Sequence, residues 1–463
     1  MALLQKDTQA DGIEGAVAGL LPQDVIRKKR DKLPLSGAEI RLFIEGATKG
    51  SVSEGQIGAF TMAVFLQGMT IDEAADLALA MRDSGQVLDW SSAAIEGARL
   101  IDKHSSGGVG DEKITLLVAP LAAACGVYVP NLSARGLDYC AGEVDLLDAV
   151  PGYQTAPAMD LFMRTVEEVG CAVIGPTLDL APADRKLFFV RDVTATVESV
   201  PLITGSIVSK KLAVAPRGLA ITVGSGSGAY MPTLDEARLL AGYMAEVAAR
   251  VCVPSVMLLT DLDCVLGTSV GNAVAVAETV DFLVGRARDP RVFDLVLSVV
   301  AEMAVLAGIE TDLQAARSLA ERRLADGSAA ERFGRMVKAL GGPGDFVERS
   351  KAYLPAARVV RPVFSVEAGF VSRTDAGAIG HALVEAGGGR KHPEGEIDLS
   401  VGFTAFAAVG AEVSRERPLA IVHARDEDDF ARAAERIRAA VRVAPEPCAS
   451  AGPIVKERIA RSA

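Results

Sequence analysis

Ten residues, Asp102-Lys103-His104-Ser105-Ser106-Gly107-Gly108-Val109-Gly110-Asp111, constrain this chain more than any other stretch. They follow a short apolar run, Leu100-Ile101, and precede a segment from 114 to 134 that carries no charge. That pattern predicts a strand, a glycine-rich turn and the start of a buried helix. Pro120 and Pro130 break any membrane-spanning helix there, so the uncharged segment divides into a buried helix over about 113–126 and a buried strand over about 127–132. Glycines let the backbone approach a ligand closely, and N–H groups at a helix start attract anions. A cation, an imidazole and two hydroxyls within four residues suit a phosphate held beside a proton donor. Such turns also occur with no ligand, and this one matches neither the dinucleotide fingerprint nor the Walker spacing.

At 463 residues, the chain is long enough for two or three domains. Four segments, 24–30, 36–48, 53–67 and 70–84, each open on a capping residue type (Asp24, Ser36, Ser53, Thr70) and space their apolar residues as helices do. From 98 onward short buried runs alternate with helical segments, which predicts a mostly parallel sheet flanked by helices. A second helical stretch, 181–212, interrupts that alternation, and within it Ser206 and Lys210 fall on one helix face. Taken alone, that face reads as solvated. From about 343 a third region carries strands near 357–371, a helix over 374–386 and the glycine-rich loop Gly387-Gly388-Gly389.

The formal net charge of −12 excludes general affinity for nucleic acid or an anionic membrane, so an anionic ligand needs a local positive pocket. Six scattered cysteines without a C-x-x-C pair fit free thiols in a reducing cytoplasm, and four histidines are too few for a histidine-rich metal centre. The first residues lack the basic start and apolar block of a secretion signal, and read as a flexible extension over 1–21.

Several long stretches, in order, resemble the thymidine and pyrimidine-nucleoside phosphorylases. They include Val25 to Asp31, Ser53 to Ile57, Met81 to Gly85, the Asp102 to Asp111 loop, Ser133 to Leu137, Leu180 to Asp184, Arg191 to Val197, Gly226 to Ala229 and Asp398 to Phe403. The resemblance implies a small all-α domain (22–86 with 181–213) and a large α/β domain with a mostly parallel or mixed sheet (98–175 with 216–342, completed by 343–463). It places the active site in the cleft between them and implies a homodimer joined through the α domain.

It also assigns residues. His104, Arg191, Ser206 and Lys210 match the pyrimidine-binding positions, with His104, Arg191 and Lys210 catalytic. Lys103, Ser105, Thr115 and Ser133 match the positions that bind inorganic phosphate, the co-substrate, and Arg135 is near enough in sequence to assist. The implied reaction is phosphorolysis of a pyrimidine nucleoside to free base and pentose 1-phosphate, with no cofactor and no metal. Three departures qualify this, one of them Thr222 and Gly224 where the family carries an Asp-x-Lys just before the second glycine-rich turn. Glu143 stands where the family carries a phosphate-binding threonine, so the alternative is a phosphate-independent hydrolase or transglycosylase in which Glu143 is catalytic. Ala275 replaces a family glutamate, which puts the monovalent-cation site of some relatives in doubt. Asn131 is placed near the sugar hydroxyls. A third reading is a nucleoside-binding homologue without catalysis.

Overall fold

The computed structural model describes residues 19–462, apart from 96, 137, 178, 393 and 394. Most of the extension expected over 1–21 therefore lies outside the described residues.

Four helices open the described chain: α1 (Pro22–Arg30), α2 (Gly37–Lys49), α3 (Glu54–Gln67) and α4 (Ile71–Asp83). Ser36, Ser53 and Thr70 cap the last three as their residue types predict, each closing a reciprocal hydrogen bond with the residue three further on. Asp24 is the exception. It sits inside the first turn of α1, where its carboxylate accepts the Leu21 N–H at 3.1 Å, because Pro22 starts that helix two residues earlier. These helices share one core with Leu187, Val190 and Leu202 of the inserted segment, so a single helical unit is assembled from two distant parts of the chain.

The α/β part begins with β1 (Ile101–Ser105), the short turn Asp111–Lys113 and α5 (Ile114–Ala124). Every residue of α5 is buried except Ala124, and Pro120 is accommodated inside it. Then come β2 (Val129–Leu132), α6 (Glu143–Asp148), α7 (Met159–Val169), β3 (Cys171–Ile174), the inserted helices α8 (Pro182–Val193) and α9 (Val200–Ala213), and β4 (Gly218–Ser225). The chain continues through α10 (Leu234–Arg250), β5 (Ser255–Asp261), β6 (Val270–Gly271), α11 (Asn272–Leu283) and α12 (Pro290–Leu306).

Strands β1, β4 and β5 run parallel, and β2 pairs in parallel with β3. A bridge between Leu100 and Tyr128 links the two groups. Leu219, Ile221, Met257 and Leu259 pack one face of the sheet against α10 and the helical unit, whereas Ala220, Val256 and Leu258 join the core that contains α5 and α12. Alternation of side chains along buried strands thus puts helices on both faces.

Three helices not assigned from the sequence follow, α13 (Leu313–Ala325), α14 (Ser328–Ala339) and α15 (Phe346–Tyr353), and they complete the α/β core. After them, β7 (Val359–Val363), β8 (Gly369–Thr374), α16 (Ala376–Glu385), β9 (Gly402–Thr404), β10 (Glu412–Val413), β11 (Ala420–Ala424), α17 (Glu427–Ala440) and β12 (Val441–Ala444) form a smaller body with its own core. The last strand, β13 (Val455–Arg461), returns to pair antiparallel with β5, which makes the main sheet mixed.

Candidate active site

A cavity of about 110 Å³ opens where the inserted helices meet the glycine-rich turn. His104, Ser105 and Glu143 line it from the α/β side, and Arg191, Ser206 and Lys210 line it from the helical side. Residues far apart in the chain thus face one space. A second cavity, of about 600 Å³, adjoins it and shares Ala134, Arg135 and Phe188.

On the helical side, Arg191 lies in the last turn of α8 with its side chain buried. Its guanidinium donates to the backbone carbonyls of Val197 at 2.6 Å, Leu202 at 3.2 Å and Thr196 at 3.4 Å. Three of its five N–H donors are spent on orientation, and two remain. Burial pulls its pKa down to about 10, partly opposed by the Asp184 carboxylate, so it stays cationic at neutral pH. One turn apart on α9, Lys210 Nζ donates to Ser206 Oγ at 2.8 Å and to Asp184 Oδ2 at 2.6 Å. All three are buried, so the solvated helix face that the sequence allowed is not what forms.

On the opposite side the hydroxyls predicted to hold phosphate are occupied by the chain itself. Thr115 donates to Glu143 Oε1 at 2.7 Å, Ser133 donates to Glu143 Oε2 at 2.6 Å, and Lys103 Nζ donates to Thr115 Oγ1 at 3.0 Å. Ser105 donates to Asp111 and accepts the Gly107 N–H at 3.0 Å. Gly142 makes the approach of Glu143 feasible: a Cβ there would lie 2.3 Å from the backbone of Arg135 and Gly136. Arg135 is held by Asp145 at 2.9 Å and Asp148 at 2.6 Å. Arg390, from the glycine-rich loop of the smaller body, also binds Asp145, at 2.6 Å.

Between the two sides stands His104. Burial, with the ammoniums of Lys211, Lys210 and Lys103 around it, holds its imidazole well below the usual histidine range, so the ring is neutral at pH 7. Among the described residues the ring has no hydrogen-bond partner, which leaves a donor and an acceptor for a ligand. Glu112 also reaches the cavity. Burial pushes its carboxyl up to about 7, and one of its oxygens is buried without a partner.

Comparison with known families settles the lineage. Residues 97–330 match the α/β domain of a glycosyl transferase family, residues 23–85 match that family's helical bundle domain, and residues 370–444 match the pyrimidine nucleoside phosphorylase C-terminal domain. The chain belongs to this glycosyl transferase family, with the domain architecture of the pyrimidine-nucleoside and thymidine phosphorylases. The fold is shared with an anthranilate phosphoribosyltransferase from Thermus thermophilus, at a TM-score of 0.55 and 21% identity over 68% of this chain and 99% of that one. Membership makes this chain a transferase of the glycosyl type. Among its described residues no helix is long and apolar enough to cross a membrane.

Set against this glycosyl transferase architecture, His104, Arg191, Ser206, Lys210, Glu143 and Ser105 line the cavity, while Lys103, Thr115 and Ser133 stand behind Glu143. Asn131 does not reach the cavity. Its amide donates to Asp102 Oδ1 at 2.8 Å and to the Lys103 carbonyl at 2.7 Å, beneath the buried pair of Asp102 with Lys211. Sequence reasoning missed Glu112, Tyr230 and Phe188 as lining residues. The only signal for Glu112 was its place at the end of the glycine-rich loop.

Proposed function

We propose that this chain transfers the pentosyl group of a pyrimidine nucleoside to an acceptor other than free phosphate, with water as the simplest acceptor and Glu143 as its general base. One observation carries the reading: the Glu143 carboxylate takes the Thr115 and Ser133 hydroxyls at 2.7 Å and 2.6 Å, the groups a phosphate needs. Each carboxylate oxygen keeps a lone pair for an acceptor's proton. A phosphate brought to about 4 Å meets a repulsion of about 4 kcal/mol per unit of its charge at an effective dielectric near 20.

Breaking the bond loads negative charge onto the departing base as the sugar gains oxocarbenium character. Arg191 has two free N–H groups for the base's carbonyl edge, and Lys210 with Ser206 brackets it one turn away. His104, being neutral, serves as a hydrogen-bond donor to the leaving group and not as an imidazolium acid. The adjoining cavity of about 600 Å³ supplies room for the rest of the substrate and for the acceptor.

Retention of Lys103, Ser105, Thr115 and Ser133 favours a second reading, phosphorolysis with Glu143 displaced. Base release from uridine and thymidine, measured with and without inorganic phosphate, separates the two. Release that is indifferent to phosphate supports the proposal, release that requires phosphate restores phosphorolysis, and no release from any nucleoside overturns both. Six free thiols support action in the cytoplasm. Exposed Met62, Phe65 and Leu66 on α3 support the homodimer that the resemblance implies.

A further inference from the structure

Lys113 is fully buried, and its ammonium is not paired in the usual one-to-one way. Nζ donates to the carbonyl of Leu266 at 2.8 Å, the carbonyl of Ser269 at 2.9 Å and Glu278 Oε2 at 3.0 Å. The Ser269 hydroxyl and the Thr268 N–H also bind the Glu278 carboxylate. The loop wraps this closely only because residue 267 is glycine. Its φ is +78°, and a Cβ there would lie 2.4 Å from Glu278 Oε1 and 2.9 Å from Lys113 Nζ. Burial pushes the Glu278 carboxyl up, but Lys113, the Ser269 hydroxyl and the Thr268 N–H outweigh it and hold the group below its usual range.

Two backbone carbonyls and one carboxylate around a single positive charge make the donor set of a cation socket, since carbonyl oxygens replace a hydration shell. Its size suits a monovalent ion. Distances of 2.8 to 3.0 Å exceed the roughly 2.3–2.6 Å of calcium and the roughly 2.0–2.1 Å of magnesium. The monovalent cation that the family resemblance would add therefore does not fit here, because the chain's own ammonium fills the space. Ala275, the replacement that first raised that doubt, is absent from the socket, and Glu278 supplies the carboxylate.

We infer that this is a monovalent-cation socket permanently occupied by Lys113, which makes the protein independent of potassium and opens to potassium when the side chain is removed. Lys113 is a positioning residue. It ties the Leu266–Val270 stretch to the turn that ends the glycine-rich loop, where Val109 accepts the Leu266 N–H at 3.4 Å. The inference does not depend on which acceptor the reaction uses.

The test compares thermal unfolding of the parent and of Lys113→Ala in potassium chloride and in choline chloride at equal ionic strength. Expected is no difference for the parent and, for Lys113→Ala, a saturable rise of about 5 °C or more in potassium. Lys113→Met, which refills the volume without charge, should be unresponsive. Saturable stabilisation of the parent by potassium overturns the inference, and so does a Lys113→Ala protein that melts identically in both salts. Should Lys113→Ala fail to fold in choline, recovery of folded protein on refolding in potassium supports the inference, and failure in both salts counts against it.

Discussion

Asp184 of α8 and Lys210 of α9 form a buried ion pair at 2.6 Å, and the same ammonium holds Ser206 Oγ at 2.8 Å. The pair fixes the angle between the two inserted helices and aims a cation at the cavity. Removing one member leaves the other charged and desolvated, which costs about 3–5 kcal/mol. Asp184→Ala should therefore lower the unfolding free energy by that amount in urea titrations, and Asp184→Asn, which keeps an acceptor oxygen, by less. A loss below about 1 kcal/mol would mean that water reaches Lys210.

A neutral imidazole predicts a particular rate profile. Burial and three nearby ammoniums hold His104 well below its ordinary range, so this imidazole should contribute no limb near the usual histidine value of about 6.5, and any change in rate near pH 7 that comes from Glu112 should persist in His104→Ala. His104→Ala should lower kcat by roughly 10²-fold, the scale of a lost donor at the leaving group. An acidic limb near pH 6.5 that disappears in the variant would return the imidazolium to the mechanism.

Glu143→Thr tests which anion belongs between Thr115 and Ser133. The substitution removes the competing carboxylate and supplies a third hydroxyl, so base release should become dependent on phosphate and saturate with it. Release in phosphate-free buffer should fall by about 10²-fold or more, because the proposed base is lost. A variant with the parent's phosphate-free rate would exclude Glu143 from the chemistry.

Much of this was legible in the residues. Capping pairs at Ser36, Ser53 and Thr70 set three helix starts because the signal is local, a side chain reaching three residues along the chain. Helices α13 and α14 did carry a local signal, since Ala316, Ala320 and Leu324 and then Ala330, Phe333 and Val337 keep helical spacing, whereas strand β13 did not, because its partner, β5, lies nearly two hundred residues upstream. The site divided in the same way. Arg191, Ser206, Lys210 and His104 were placed together by long motifs, but the seating of Glu143 on Thr115 and Ser133 depends on the contact at Gly142, which no spacing encodes. Nor does anything near Lys113 in the sequence announce carbonyls more than 150 residues away.

Glu112 yields a prediction in which the sign is informative. Burial pushes its carboxyl from 4.5 in the unfolded chain to about 7 in the folded one, so the folded state binds the proton more tightly. A raised folded pKa gives stability that is fully present below the unfolded value and is lost as pH rises through the folded value, here between about 4.5 and 7. At about 1.4 kcal/mol per unit the loss amounts to roughly 3 kcal/mol. Glu112→Gln removes the titration while keeping the Gly110 N–H bonded, so its stability relative to the parent should climb across that window and level off above pH 7. Paired urea titrations of parent and variant at pH 4, 5, 6, 7 and 8 read the difference directly, and the neighbouring His104 cancels because it is common to both. A difference that stays constant from pH 4 to pH 8 would place the Glu112 carboxylate in contact with water, and with it the floor of the cavity.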